Sequence, residues 1–161
     1  MTGKITAELS IVEGDLSRTD HAQAFLRLLN AYILDEMGGG APIVGEKAGR
    51  LIAELRRFPS KVILFAKKDD SLVGMSVSFI AYSTFKACLL LNIHDFIVLT
   101  GYRGQGVGRK LMEATEARAR QLGCGKITLE VRRDNEKARQ LYASMGYGEC
   151  APPMSFWVKY L

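Results

Sequence analysis

The chain of 161 residues is 48% hydrophobic and 24% charged, with a net charge of +5 at neutral pH. That length suits one domain around one core, spanning 1–161, and the composition excludes a disordered chain. No apolar run approaches the ~20 residues that a membrane-spanning helix needs, and Met1–Glu13 lacks the basic start and apolar stretch of a secretory leader, so a cytoplasmic protein is expected, with no membrane partner. Cys88, Cys124 and Cys150 are far apart, without a CxxC spacing or a paired histidine, which reads as reduced thiols and no metal site. The positive residues are interspersed with acidic ones and form no long run. The excess therefore suits an anionic cofactor at least as well as nucleic acid.

In chain order, Ile5–Val12 alternates loosely and reads as a first strand. The apolar spacing of Ala24, Leu28, Ala31, Ile33 and Leu34 predicts a helix over 15–37, stopped by Gly38-Gly39-Gly40 and kept from restarting by Pro42. Glu46–Phe58 is a second helix, closed by Pro59. Three strands follow at 61–67, 72–82 and 88–99, the first two joined by a turn at Asp69-Asp70-Ser71. A glycine-rich turn opens a helix over 107–122 with Val107, Leu111, Ala114, Thr115, Ala119 and Leu122 along one stripe, and Gly123 stops it. A strand at 126–132, a helix at 135–145 and a last strand at 155–160 complete the chain. The order, β-α-α-β-β-β-α-β-α-β, is that of a mixed α/β sheet and not of a strict βαβ repeat.

The segment that carries chemistry is Tyr102-Arg103-Gly104-Gln105-Gly106-Val107-Gly108-Arg109. A strand runs into three alternate glycines, and these open an amphipathic helix. The first N–H groups of a helix lack internal partners, its dipole is positive there, and glycine lets the backbone approach an anion closely. Arg103 adds a cation that can fork two phosphate oxygens. Two nucleotide-binding motifs fail on spacing: GxGxxG begun at Gly104 needs glycine where Arg109 stands, and a P-loop needs GK[S/T] where the chain has Gly108-Arg109-Lys110-Leu111.

The pattern that fits, [R/Q]-x-x-G-x-G/A, resembles the acetyl-CoA pyrophosphate loop of the GNAT superfamily of N-acetyltransferases. Downstream, Asn135-Glu136-Lys137-Ala138-Arg139-Gln140-Leu141-Tyr142, then Met145-Gly146-Tyr147, resembles the second GNAT signature, N-x-x-A-x-x-x-Y with a Gly-aromatic pair. The resemblance covers about 89–161, while the first 60 residues match only in their strand-helix-helix pattern. It implies the GNAT fold: a mixed, mostly antiparallel central sheet flanked by helices and splayed at the cofactor site.

It also implies roles. Arg103, Gly104, Gln105, Gly106, Val107, Gly108 and Arg109 would hold the pyrophosphate of acetyl-CoA. Ile97, Val98 and Leu99 would pair with the pantetheine arm, with the Val98 amide donating to the acetyl oxygen, where a tetrahedral intermediate carries negative charge. Asn135 is either a helix N-cap or a further contact to the cofactor arm. Tyr142, otherwise a core aromatic, would be the acid that protonates the departing thiolate. Polyamine acetyltransferases of the superfamily carry a glutamate base where His94 stands. A histidine suits that task, with Asp95 orienting it or touching substrate, and water is the alternative proton acceptor.

The expected activity is direct acetyl transfer from acetyl-CoA to a primary amine, a small molecule in the first instance, without metal or nucleic acid. A protein or peptide N-acetyltransferase and a non-catalytic acyl-CoA sensor stay open as alternatives. The aromatic last strand (Phe156, Trp157, Val158, Tyr160) either builds a homodimer or finishes the core.

Overall fold

The computed structural model describes residues 8–161. Along them run β1 (Leu9–Glu13), α1 (Thr19–Ile33), α2 (Gly45–Arg57), β2 (Lys61–Lys68), β3 (Ser71–Ser83), β4 (Cys88–Val98), a 3₁₀ turn (Thr100–Tyr102), α3 (Val107–Gln121), β5 (Cys124–Leu129) and α4 (Glu136–Ser144). The chain divides into two compact units, Met1–Glu130 and Val131–Leu161. No helix among the described residues is long and apolar enough to cross a membrane.

In the first unit, β2 carries the consecutive apolar residues Val62, Ile63, Leu64, Phe65 and Ala66, all buried. An unbroken apolar run marks a strand covered on both faces, and both faces are covered. Ile63, Phe65, Met75, Val77 and Ile97 pack with Phe25, Leu28 and Leu29 of α1, and Leu51, Ile52 and Leu55 of α2 lie against the same cluster. On the other face, Val62, Leu64, Ala66, Val73, Leu91 and Val98 pack with Val107, Leu111 and Ala119 of α3. Burying a side chain of this size contributes about 1.5–3 kcal/mol. Leu111, with no exposed surface, thus fixes α3 and the turn that precedes it.

Among the described residues the sheet has five strands in the order β1-β2-β3-β4-β5. The first four pair antiparallel, and β5 runs parallel to β4. A parallel neighbour requires a crossover, which α3 supplies. The mixed, mainly antiparallel sheet flanked by helices is the one expected from the sequence.

Two irregularities shape the end of β4. Val77 pairs with Asp95 but Ser78 with Ile93, so His94 is the extra residue of a β-bulge. The pairing of β4 with β5 ends at Ile93 opposite Leu129, whereas β4 itself continues to Val98. β5 ends there, and β4 runs on past it.

Several boundaries differ from expectation for local reasons. The expected first strand is seen as β1; its residues 5–7 lie outside the described ones. α1 starts later than 15, because the Asp15 carboxylate accepts from both the amide and the hydroxyl of Ser17 and makes a turn of that stretch. It ends before 37 because the chain folds back on the helix: the Gly39 amide donates to the Ile33 carbonyl. The strand expected at 126–132 is Cys124–Leu129.

In the second unit, Asn135 caps α4 and Gly146, at φ 89°, follows its end. The last strand expected at 155–160 does not form: Ser155–Leu161 has no regular structure. A terminal strand needs a ladder partner and a face to bury, and Phe156, Trp157 and Tyr160 are instead 77%, 88% and 92% exposed.

Candidate active site

The glycine turn of the first unit links the end of β4 to α3. Gly104 and Gly106 have φ of 71° and 80°, a region open to glycine at little cost, and Gly108 lies inside the first turn of α3. Gly106 is the N-cap and offers no side chain to the helix. The amide of Lys110 makes the first helical bond, to the Gly106 carbonyl. The N–H groups that precede it point out of the helix end, where an anion is favoured by partial charge and by geometry. Around the turn, the Gln105 amide donates to the Gly101 carbonyl at 2.9 Å and its oxygen accepts from Lys68, whose ammonium also lies over the Tyr102 ring.

Arg103 is held from two sides. Its Nε donates to the Val98 carbonyl at 2.8 Å, and Nη2 donates to Asp35 Oδ2 at 2.7 Å. Asp35 follows α1 and was not among the residues singled out by sequence, since the expected helix ran through it.

The backbone of β4 explains what Val98 can do. The Leu99 amide donates to the Val73 carbonyl at 2.9 Å. Hydrogen-bonded pairs alternate along an antiparallel ladder, so Ile97 pairs with Met75 in the same sense. Ile97 and Leu99 therefore spend their N–H groups on β3. Val98 turns its N–H and C=O the other way, on the side where β5 has already ended.

Upstream, the bulge gathers polar side chains on one face. Residues opposite one another in an antiparallel pair project to the same side. Asn92 lies opposite Phe79 and Asp95 opposite Val77, and both partners belong to the α1/α2 face. The His94 ring meets Phe79 edge-on at 5.6 Å, and Phe79 meets Phe58 at 5.3 Å, so the imidazole ends an aromatic row. Asn92 donates to Thr128 Oγ1 at 3.1 Å and to Glu130 Oε1 at 3.4 Å, joining β4 to the end of β5 and the residue that follows it. Asn92 is a second residue passed over in the sequence, although a lone amide within Leu89-Leu90-Leu91-Asn92-Ile93 was a signal. Burial raises the Asp95 carboxyl above its ordinary value, and the charge of His94 opposes that rise in part.

The second unit carries the remaining candidates. Asn135 Oδ1 accepts from the Ala138 amide at 3.2 Å, so its oxygen acts as the N-cap of α4. Tyr142 is the buried residue of α4, its ring 6.1 Å from that of Tyr147.

The model of the acetyltransferase (GNAT) family matches residues 26–147. The chain belongs to that family. Among curated proteins, a streptothricin acetyltransferase of Streptomyces lavendulae is 31% identical over 75% of this chain and 65% of its own length. An uncharacterised N-acetyltransferase of Bacillus subtilis is 29% identical over 83% and 87%. A thialysine N-ε-acetyltransferase of Bos taurus is 30% identical over 60% of this chain and 53% of its own length. The chain thus spans only part of the streptothricin and thialysine enzymes. Among solved structures, an aminoglycoside acetyltransferase from an uncultured soil sample superposes with a TM-score of 0.78, covering 95% of this chain and 97% of its own, at 19% identity. A second aminoglycoside N-acetyltransferase, solved with CoA, has a TM-score of 0.77 at 14% identity over 96% of this chain and 97% of its own. These structures establish the GNAT fold, and the family match places the chain among the GNAT acetyltransferases.

The Asp95 environment gives a testable pH dependence. Its folded-state pKa lies above the ordinary 3.8. Between those two values the unfolded chain binds fewer protons than the folded one, so this group's contribution is complete at low pH and is lost as pH rises through the folded value. Asp95→Asn should remove that loss, so that the urea midpoint of the variant falls less than that of the wild type as pH rises above the ordinary carboxylate range and is higher at neutral pH. A variant whose midpoint follows the wild-type curve throughout would mean that Asp95 carries no such burden.

Proposed function

We propose that the chain, acting as one acetyltransferase domain over 1–161, passes an acetyl group from acetyl-CoA to the primary amine of a small molecule by direct attack. The observation that carries this reading is the glycine turn at the start of α3, coupled with an outward-turned Val98 amide at the end of β4. When bound, acetyl-CoA supplies the activated acyl group. The Gly104–Gly108 turn and Arg103 would hold its pyrophosphate, with Gln105, Val107 and Arg109 completing the cradle. The Val98 amide is oriented to donate to the acetyl oxygen as negative charge builds there. Because Ile97 and Leu99 bond to β3, Val98 is the member of that trio suited to pair with the pantetheine arm.

An alkyl ammonium must lose a proton before it can attack, its pKa being near 10. His94 is our choice for that proton, assisted by Asp95, and solvent is the competing acceptor. From the family resemblance, Tyr142 would protonate the departing thiolate, and Asn135, beyond its capping role, would support the cofactor arm. A small-molecule acceptor is supported by the streptothricin, thialysine and aminoglycoside of the relatives' names. The alternatives are a peptide acceptor and an acyl-CoA sensor without turnover.

One assay separates these readings: thiol release from acetyl-CoA with a panel of polyamines, aminoglycosides, lysine analogues and a peptide. We expect turnover with a small amine, a drop of roughly 10²-fold in kcat for Tyr142→Phe, and a flattened acidic limb of the pH–rate profile for His94→Gln. Turnover with the peptide alone moves the acceptor class. CoA binding without thiol release from any amine leaves the sensor.

The exposed tail supports a second proposal, a homodimer. Phe156, Trp157 and Tyr160 stand largely in solvent, and exposed aromatics of this size gain most from a partner surface. Sedimentation at micromolar concentration should give twice the chain mass, and truncation before Ser155 should give the monomer. A monomeric full-length chain removes the dimer.

A further inference from the structure

The Asp35–Arg103 pair joins residues 68 apart in sequence and lies beside the proposed phosphate turn, where a carboxylate is out of place by charge alone. An acid next to an anion site repels the ligand, so its presence calls for another explanation.

The bonds around it supply one. Both carboxylate oxygens of Asp35 are engaged: Oδ1 accepts from the Met37 amide at 3.0 Å, and Oδ2 from Arg103 Nη2 at 2.7 Å. The side chain is only 17% exposed. Arg103 in turn holds the Val98 carbonyl through Nε at 2.8 Å. Two of its five N–H groups are thus committed, in a fork that only a planar guanidinium provides.

The segment that Asp35 heads is itself fixed. A side chain at Gly38 would meet the Tyr32 carbonyl at 2.1 Å, so only glycine allows that fold-back. Asn30 receives the Ile43 amide at 2.7 Å and donates to the Ile43 carbonyl at 3.0 Å, pinning the far end of the α1–α2 connection to α1. A connection tied to α1 at both ends therefore reaches, through one carboxylate and one guanidinium, the peptide group of Val98 and the start of the glycine turn.

We propose that Asp35 is a positioning residue for the cofactor site: it orients Arg103, and through it the Val98 peptide and the phosphate turn, and so couples the α1–α2 connection to acetyl-CoA binding. This inference rests on the acetyl-CoA reading above. It predicts an effect opposite in sign to simple electrostatics, because removing a negative charge beside a polyanion site should otherwise tighten binding.

Calorimetry with CoA tests it, each variant being measured well below its own melting temperature. Asp35→Asn should bind CoA on the order of tenfold more weakly, the size expected for one hydrogen bond to a charged group. Arg103→Lys keeps the charge but cannot serve Val98 and Asp35 together, so it should weaken binding similarly. In the double variant the losses should not add, since both changes break one brace. Equal or tighter binding by Asp35→Asn overturns the proposal, as does wild-type affinity in Arg103→Lys or strict additivity in the double variant. Should Asp35→Asn fail to fold, Asp35→Glu, which keeps the charge but displaces the carboxylate from Arg103, takes its place: weakened CoA binding supports the brace and wild-type affinity overturns it. A wild-type protein that does not bind CoA would instead sink the acetyl-CoA reading itself.

Discussion

A strand that runs on past the end of its parallel neighbour creates the condition on which the rest of this site depends. β4 and β5 pair as far as Ile93 and Leu129, and β4 goes on to Val98. Within a complete sheet the N–H and C=O of Val98 would be consumed by a ladder partner. Here the antiparallel bonds to β3 engage Leu99 and, by alternation, Ile97, so the peptide of Val98 is aimed away from β3. The bulge at His94 acts on the same strand, bringing Asn92, His94 and Asp95 onto the α1/α2 face.

Helix packing then places the charge-binding end. α3 is anchored on the opposite face of the sheet by Val107, Leu111 and Ala119, and its N-terminus follows the end of β4 after the 3₁₀ turn and the glycine turn. The turn needs positive φ at Gly104 and Gly106, and the same absence of side chains leaves the helix N–H groups open to an approaching anion. One local geometry therefore serves folding and binding together. Arg103, bonded to Val98 and to Asp35, ties that geometry to the connection after α1.

Much of this was legible in the sequence where local chemistry dictates it. The buried runs of β2 and β3, the stripe of α3 and the glycine turn each carry their signal within a few residues. The bulge at His94 did not show, because one extra residue in an apolar strand is defined only by the partner opposite. Asp35 was hidden inside an expected helix: helical spacing continued past Ile33, whereas the real end is set by the fold-back at Gly38. The tail misled for a related reason. Phe156, Trp157, Val158 and Tyr160 have strand composition, but a strand exists only with an edge to join.

Amide chemical shifts of the ¹⁵N-labelled protein during titration with CoA test the central claim most directly. The amides of Val98, Gly106, Val107 and Gly108 should move together and saturate at one affinity, while those of Ile97 and Leu99, bonded to β3, move less. Saturating CoA that leaves Val98 and the Gly106–Gly108 amides unmoved would contradict the account.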